Sequence, residues 1–349
     1  MVESKDRVAV VGAGSWGTAL ATVLAENFPR VDLWARRETL AQEINESHYN
    51  NQYLPGVLLS ENIVSDSSLE RVVRDKSLIL LVVPSHAMRE TVRRLVPYLR
   101  EDAIITHATK GMEISSLKRM SEIIREEVPE CLRARIAVLS GPSHAEEVGL
   151  KSPTTVVVAS ESMAIAEQVQ DWLITGRFRV YTNPDVIGVE IGGALKNIIA
   201  LGAGLSDGLQ FGDNAKAALL TRGLAEIGRI GIVLGANPLT FSGLAGIGDL
   251  VVTATSHHSR NWRAGNMIAQ GLTTEEILQK MGMVVEGIKT TKAVFHLSEK
   301  VNVEMPITRE LYRVLFQGKA PREAVGDLMG RMRKHEMEEV ALAYFNHKE

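Results

Sequence analysis

Through the first half of the chain, short apolar runs alternate with longer stretches of helical spacing. Residues 8–11, 31–35, 78–83, 103–106, 136–139, 154–159 and 179–182 are strand-length and rich in Val, Ile and Leu. Continuous apolar strands separated by helices predict an α/β architecture, an open, mostly parallel, doubly wound sheet with helices on both faces. The stretch 45–62, with Leu54-Pro55-Gly56, reads as polar and turn-rich. Pro84-Ser85, Lys110-Gly111 and Gly141-Pro142-Ser143 fall just past strand ends, where such sheets hold ligands. The pattern changes near Pro184. From residue 186 no strand-like run appears, and Leu219, Leu220, Leu224, Ile227, Ile230 and Ile232 repeat at helical spacing. Thr273 and Glu276 form a capping-box pattern, and Pro321-Arg322-Glu323 opens a last helix expected to reach about Phe345. The expectation is an α/β domain over 1–185, followed without a long linker by an all-α domain over 186–349.

The first strand leads into Gly12-Ala13-Gly14-Ser15-Trp16-Gly17, a G-x-G-x-x-G loop, and small residues then open a helix. Glycines at these places permit a tight turn, a close backbone approach to a pyrophosphate, and contact between helix and strand. Strand before and helix after turn a weak motif into a specific one, and 1–185 is expected to be a Rossmann-type dinucleotide-binding domain. An NAD site would place a carboxylate at the end of the next strand, for the ribose hydroxyls. That strand instead ends in Arg36-Arg37, which suits a 2′-phosphate, while Asp32 lies too early in it. NADPH is the expected cofactor, with NADH accepted less well.

Composition narrows the class. With 45% hydrophobic and 23% charged residues the chain reads as a globular protein. A net charge of −3 gives no global field favouring nucleic acid or an anionic membrane, so an anionic substrate needs a local basic cluster. The lone Cys131 leaves no internal disulfide and fits a reducing compartment. The polar N-terminus runs straight into the first strand, and the apolar run 78–83 is too short to span a bilayer. A cytoplasmic enzyme without nucleic-acid or membrane partners is expected, as a possible homodimer.

Candidate chemistry lies in the helical half. Lys196 stands in Gly192-Gly193-Ala194-Leu195-Lys196-Asn197-Ile198-Ile199, on a helix whose Glu190, Gly193 and Asn197 share a face. It is either a lysine that snorkels to solvent or a buried one whose ammonium becomes a usable proton donor. Asp249, after Gly246-Ile247-Gly248, reads alone as a helix N-cap, and Ser259-Arg260-Asn261 alone as a polar loop. Together they supply a carboxylate, a guanidinium and neutral donors suited to a small phosphorylated polyol. His257 and His258 lack metal-ligand spacing, so no metal is expected.

Gly-Ala-Gly-Ser-Trp-Gly-Thr-Ala (12–19), Thr-Lys-Gly (109–111), Gly-Pro-Ser-His-Ala (141–145), Leu-Lys-Asn (195–197), Gly-Asp-Leu (248–250), Ser-Arg-Asn (259–261) and Val-Glu-Gly (285–287) resemble, in order, the bacterial NAD(P)-dependent glycerol-3-phosphate dehydrogenases. The resemblance spans nearly the whole chain. It implies reversible reduction of dihydroxyacetone phosphate to sn-glycerol 3-phosphate, a phospholipid precursor. It also implies Lys196 as proton donor and acceptor, with Lys110 and Asp249 beside it. Substrate contacts would come from Lys110, Gly141, Ser143, Lys196, Asn197, Asp249, Ser259, Arg260 and Asn261. Cofactor contacts would come from Gly12, Gly14, Ser15, Trp16, Gly17, Arg36, Lys110, Ala145, Arg260, Val284 and Glu286, with Arg37 and Tyr53 as further members. Two rival readings share parts of this pattern. One is a two-domain hydroxy-acid or ketopantoate-type dehydrogenase, which needs a carboxylate site rather than a phosphate site. The other is a dinucleotide-sensing module, against which Lys110, Lys196 and Asp249 argue.

Overall fold

In the computed structural model, which describes residues 7–282 and 284–332, β1 (Val8–Val11), β2 (Val31–Trp34), β3 (Ile63–Asp66), β4 (Leu78–Leu81), β5 (Ile104–His107), β6 (Ile136–Ser140), β7 (Thr154–Ala159) and β8 (Phe178–Asn183) form one sheet. The order is β3-β2-β1-β4-β5-β6-β7-β8. Only β6–β7 pairs antiparallel; the other neighbours are parallel. The two-residue period of a strand sorts its side chains into two cores. Val8, Val10, Leu78 and Leu80 pack on one face with Leu20 and Leu24, while Ala9, Val11, Ile79 and Leu81 pack on the other with Val72 and Val92.

β3 departs from the expected pattern, which carried no strand between 35 and 78. It is a four-residue edge strand, Ile-Val-Ser-Asp, alternately buried and half-buried, too short and too polar to stand out from the turns before it. Asp32 also finds its role here. Nearly buried, it accepts hydrogen bonds from Arg30 and Lys76, at the end of the sheet opposite the glycine loop.

The described residues divide into two compact units. The first holds the chain to Thr109 and Met120–Val186; the second holds Lys110–Arg119 and the chain from Ile187. The excursion at 110–119 is invisible to a single cut in the sequence near 186, because proximity in space is not proximity along the chain. Met112 is buried in the helical core, where Leu117 also packs.

The helical unit is built around the helix Val186–Gly208. This helix, and not the run 78–83, has the length and apolar composition to cross a membrane, with a mean hydropathy of 1.5; 94% of that window is buried. An apolar helix buried all round is what a core helix requires. It crosses the helix Arg260–Ala269 closely: a Cβ on Gly204 would lie 1.8 Å from the Trp262 carbonyl oxygen, and one on Gly265 1.9 Å from that of Leu201. The Thr273–Glu276 capping box is present, with both reciprocal hydrogen bonds. Among the described residues the last helix spans Pro321–Met329 and ends at its C-cap Gly330, so the expected single helix to Phe345 stops early; residues 333–349 lie outside the described residues.

Candidate active site

In the first unit, the carboxyl end of β1 turns sharply at Gly12, whose φ is +123°. A Cβ there would lie 2.7 Å from the Val82 carbonyl oxygen, and a Cβ on Gly17 only 1.8 Å from that of Gly12. Side chains at either place would push the loop off the sheet. At Gly14, the N-cap of the helix Ser15–Leu24, an added Cβ meets nothing within 4 Å. Ser15 and Trp16 begin that helix, and its first turn carries no acidic residue. A helix N-terminus with open space before it and no competing carboxylate fits a pyrophosphate.

Arg36 and Arg37 follow β2 on the same edge of the sheet and are exposed; the Arg37 guanidinium donates to Gln52 Oε1. Tyr53 is half-buried, its backbone N–H bonded to Asn50. At the end of β6, Gly141 has φ +125°, Ser143 Oγ donates to the Gly141 carbonyl over 3.0 Å, and Ala145 opens the helix Ala145–Gly149. Asn50 is a residue that the sequence reading missed. Fully buried, its Nδ2 donates to the Ala13 carbonyl (3.0 Å) and to Thr18 Oγ1 (2.8 Å), fastening the glycine loop to the turn at 50–54. Within a run of polar turn residues nothing marks it, because only burial separates this asparagine from its neighbours.

In the second unit, Lys196 is 5% exposed, which decides for the buried lysine over the snorkelling one. Its Nζ donates to Asp249 Oδ1 and, over 2.7 Å, to Thr253 Oγ1. Lys110 Nζ donates to Asp249 Oδ2 over 2.7 Å. One carboxylate therefore stands between two ammonium groups. Burial lowers the pKa of Lys196 to about 7; Asp249 opposes the shift and the Lys110 charge adds to it. Asp249 is the first residue of the helix Asp249–Thr255 rather than its cap, which is Gly248. A π-type turn over Leu244–Gly248 precedes it, a local irregularity of the kind found at functional sites.

Ser259-Arg260-Asn261 is not a loop. Ser259 caps the helix Arg260–Ala269, its side chain accepting from the Trp262 N–H, so Arg260 and Asn261 stand on a helix start. Asn261 is buried, donates to Asn197 Oδ1 (2.8 Å) and accepts the Gly287 N–H (2.8 Å) at the start of the helix Glu286–Lys300. Arg260 Nη1 donates to the Val284 carbonyl over 3.3 Å. The segment carrying Val284 and Glu286 is thus tied to the two residues before Trp262. His257 packs edge-on against Trp262, its ring centroid 4.5 Å away.

Thus Gly12, Gly14, Ser15, Trp16, Gly17, Arg36, Arg37, Tyr53, Gly141, Ser143 and Ala145 lie in the first unit. Lys110, Lys196, Asn197, Asp249, Ser259, Arg260, Asn261, Val284 and Glu286 lie in the second, where hydrogen bonds join most of them. Arg119 and Glu190 were not expected among them. Arg119 Nη1 donates to Glu190 Oε2 over 2.5 Å, on the Lys196 helix. The sequence placed Glu190 on that helix but offered no sign of its partner.

Comparison with known proteins bears on both units. Residues 7–166 match the family model described as NAD-dependent glycerol-3-phosphate dehydrogenase N-terminus, and residues 185–326 match that of the C-terminus. The chain is 57% identical over 341 residues to a glycerol-3-phosphate dehydrogenase (NAD(P)+) of Bacillus licheniformis, covering 97% of this chain and 99% of that one. A solved glycerol-3-phosphate dehydrogenase from Coxiella burnetii matches with a TM-score of 0.89 at 39% identity, over 94% of this chain and 100% of that one. A ketopantoate reductase from Ralstonia eutropha, at a TM-score of 0.59 and 16% identity over 93% of this chain and 99% of that one, shares the fold alone. With both halves matched in order and a relative aligned over 97% of this chain, the chain belongs to the NAD-dependent glycerol-3-phosphate dehydrogenase family.

Proposed function

We propose that this chain catalyses the reversible, NAD(P)H-dependent reduction of dihydroxyacetone phosphate to sn-glycerol 3-phosphate, and that it prefers NADPH. The observation that carries the reading is the buried cluster of Lys196, Asp249 and Lys110 in a chain of this family. The first unit takes the dinucleotide, with its phosphates at the N-terminus of the helix Ser15–Leu24, and the second takes the substrate. Bound NADPH supplies the hydride that reduces the carbonyl carbon.

The protein's own part is electrostatic and protic. As the ketone oxygen gains negative charge, it needs fixed positive charge and a proton. The Lys196 ammonium, with a pKa of about 7, can give its proton to that oxygen near neutral pH and regain it from water. Asp249 holds Lys196 and Lys110 in place by accepting from both, and Lys110 adds a second positive charge. Arg260 is the natural bidentate partner for the substrate phosphate. Binding energy from that non-reacting group orients the carbonyl. Asn261, held between Asn197 and the Gly287 N–H, fixes where Arg260 stands. In the reverse direction the neutral Lys196 amine accepts the alcohol proton.

The direct test is oxidation of NADPH driven by dihydroxyacetone phosphate beside a panel of keto acids. Turnover with the phosphorylated ketone alone is expected, and turnover only with a keto acid would overturn the reading. Arg260→Ala should raise KM for dihydroxyacetone phosphate by about 10- to 100-fold, the loss of one or two charge-assisted hydrogen bonds, with a smaller effect on kcat. The double substitution Arg36→Ala, Arg37→Ala should weaken NADPH by a similar factor and leave NADH nearly unchanged. Equal loss for both dinucleotides would remove the basis for an NADPH preference. We further propose a cytoplasmic location, a role in supplying glycerophospholipid synthesis and a homodimeric state, the last of which sedimentation at assay concentration checks.

A further inference from the structure

We propose that Arg119 and Glu190 form a positioning pair for this reaction, clamping the 110–119 excursion to the Lys196 helix and so delivering Lys110 to Asp249. The proposal rests on the catalytic reading above and extends it to residues that touch neither substrate nor cofactor. The excursion is a short self-bonded loop. Met112 and Arg119 form a β-bridge, and backbone hydrogen bonds join Glu113 to Lys118 (3.0 Å) and Leu117 to Glu113 (2.9 Å). Lys110 and Arg119 therefore stand at its two ends, and each is tied to the helical unit by an ion pair. Lys110 Nζ meets Asp249 Oδ2 at 2.7 Å, and Arg119 Nη1 meets Glu190 Oε2 at 2.5 Å. Between them Met112 is sunk into the helical core.

The two ties differ in what holds them. The side chains of Arg119 and Glu190 are 16% and 4% exposed, and Glu190 is carried by a core helix that cannot shift without disturbing its packing. Lys110 is a flexible side chain that water reaches, 19% exposed. A buried ion pair adds little net stability compared with an apolar replacement, and its best-attested use is to set register. Here the register is that of the excursion on the Lys196 helix. The groups facing Lys196 are Asp249 and Thr253 from the helix Asp249–Thr255 and Lys110 from the excursion. If the clamp is released, Lys110 is the group that can move. Its charge then no longer disfavours the Lys196 ammonium, while Asp249 still favours it.

The test is Arg119→Met, with Glu190→Gln as a second way to break the pair and Arg119→Lys as the conservative rescue. Two readouts are compared with the unsubstituted protein. One is the pH profile of kcat for dihydroxyacetone phosphate reduction. The other is the pH dependence of the denaturation midpoint, which needs no substrate. The Arg119→Met and Glu190→Gln proteins should show the pKa assigned to Lys196 raised by about one unit in both readouts, and Arg119→Lys should bring it back. A folded Arg119→Met protein whose two profiles superimpose on the original would overturn the proposal. So would a uniform loss of stability at every pH with the pKa unmoved, which is what a merely structural ion pair would give. If the unsubstituted protein does not turn over dihydroxyacetone phosphate, the catalytic reading fails by itself, and the stability profile still tests the clamp.

Discussion

Lys196→Ala is expected to lower kcat for dihydroxyacetone phosphate reduction by about two to four orders of magnitude, the usual weight of a positioned proton donor, and to leave NADPH affinity unchanged. Single-turnover kinetics and dinucleotide titration check the two halves separately. The reasons lie in the surroundings of one ammonium group. It is buried in a core helix, bonded to Asp249 and Thr253, and its pKa falls from the ordinary 10.5 to about 7. Below about pH 7 it carries the proton that reduction consumes; above that value reduction should slow as the amine becomes neutral. Oxidation of glycerol 3-phosphate needs the neutral form and should speed up through the same window. Stability follows the same titration. Between about pH 7 and 10.5 the unfolded chain holds a proton at this lysine that the folded chain has lost, so stability should rise with pH across that window. Lys196→Met, which keeps much of the side-chain volume, should remove that slope. A Lys196→Ala protein with full turnover would refute the mechanism.

Asp249→Asn is expected to be nearly as damaging, and in stability as well as in rate. The substitution keeps the shape and removes the negative charge between two ammonium groups, one of them on a side chain only 7% exposed. Breaking a buried ion pair in this way typically costs about 3–5 kcal/mol, because the remaining charge is left without compensation. Lys196 can relieve part of the cost by giving up its proton, since burial has already brought its pKa to about 7. The loss in urea denaturation should therefore fall near about 3 kcal/mol. It should grow as pH falls and the lysine is forced to carry charge. Asp249 raises the Lys196 pKa, so without it the descending limb of the reduction profile should move to lower pH. An unchanged limb would mean that Asp249 does not govern the proton donor.

Much of the architecture was legible in the chain because its signals are local. β1 and β7 fall where the apolar runs place them, and the switch to helices comes at Val186. The glycine loop could be read from its spacing together with the strand before it and the helix after it, since backbone φ at Gly12 and the contact at Gly17 are demands that only glycine meets. β3 was lost because four residues on a sheet edge carry little hydrophobic signal. Ser259, which by itself reads as part of a polar loop, is a helix cap, because a capping serine and a loop serine look alike until a helix is seen to follow.

What the sequence determined by itself is a strand–glycine–helix device for a dinucleotide, a helical second half, and the family to which its motifs bear resemblance. Those are properties of neighbours along the chain, set by period, spacing and residue type. Only the tertiary structure decided whether Lys196 is buried or solvated, and that single choice separates a proton donor from an ordinary surface lysine. It also decided that Lys110–Arg119 packs with the helical unit, and that Asn50, Arg119 and Glu190 hold other groups in place. The physical reason is common to these cases. Desolvation and charge pairing depend on which distant segments pack together, and that information is not carried by any one stretch of the chain.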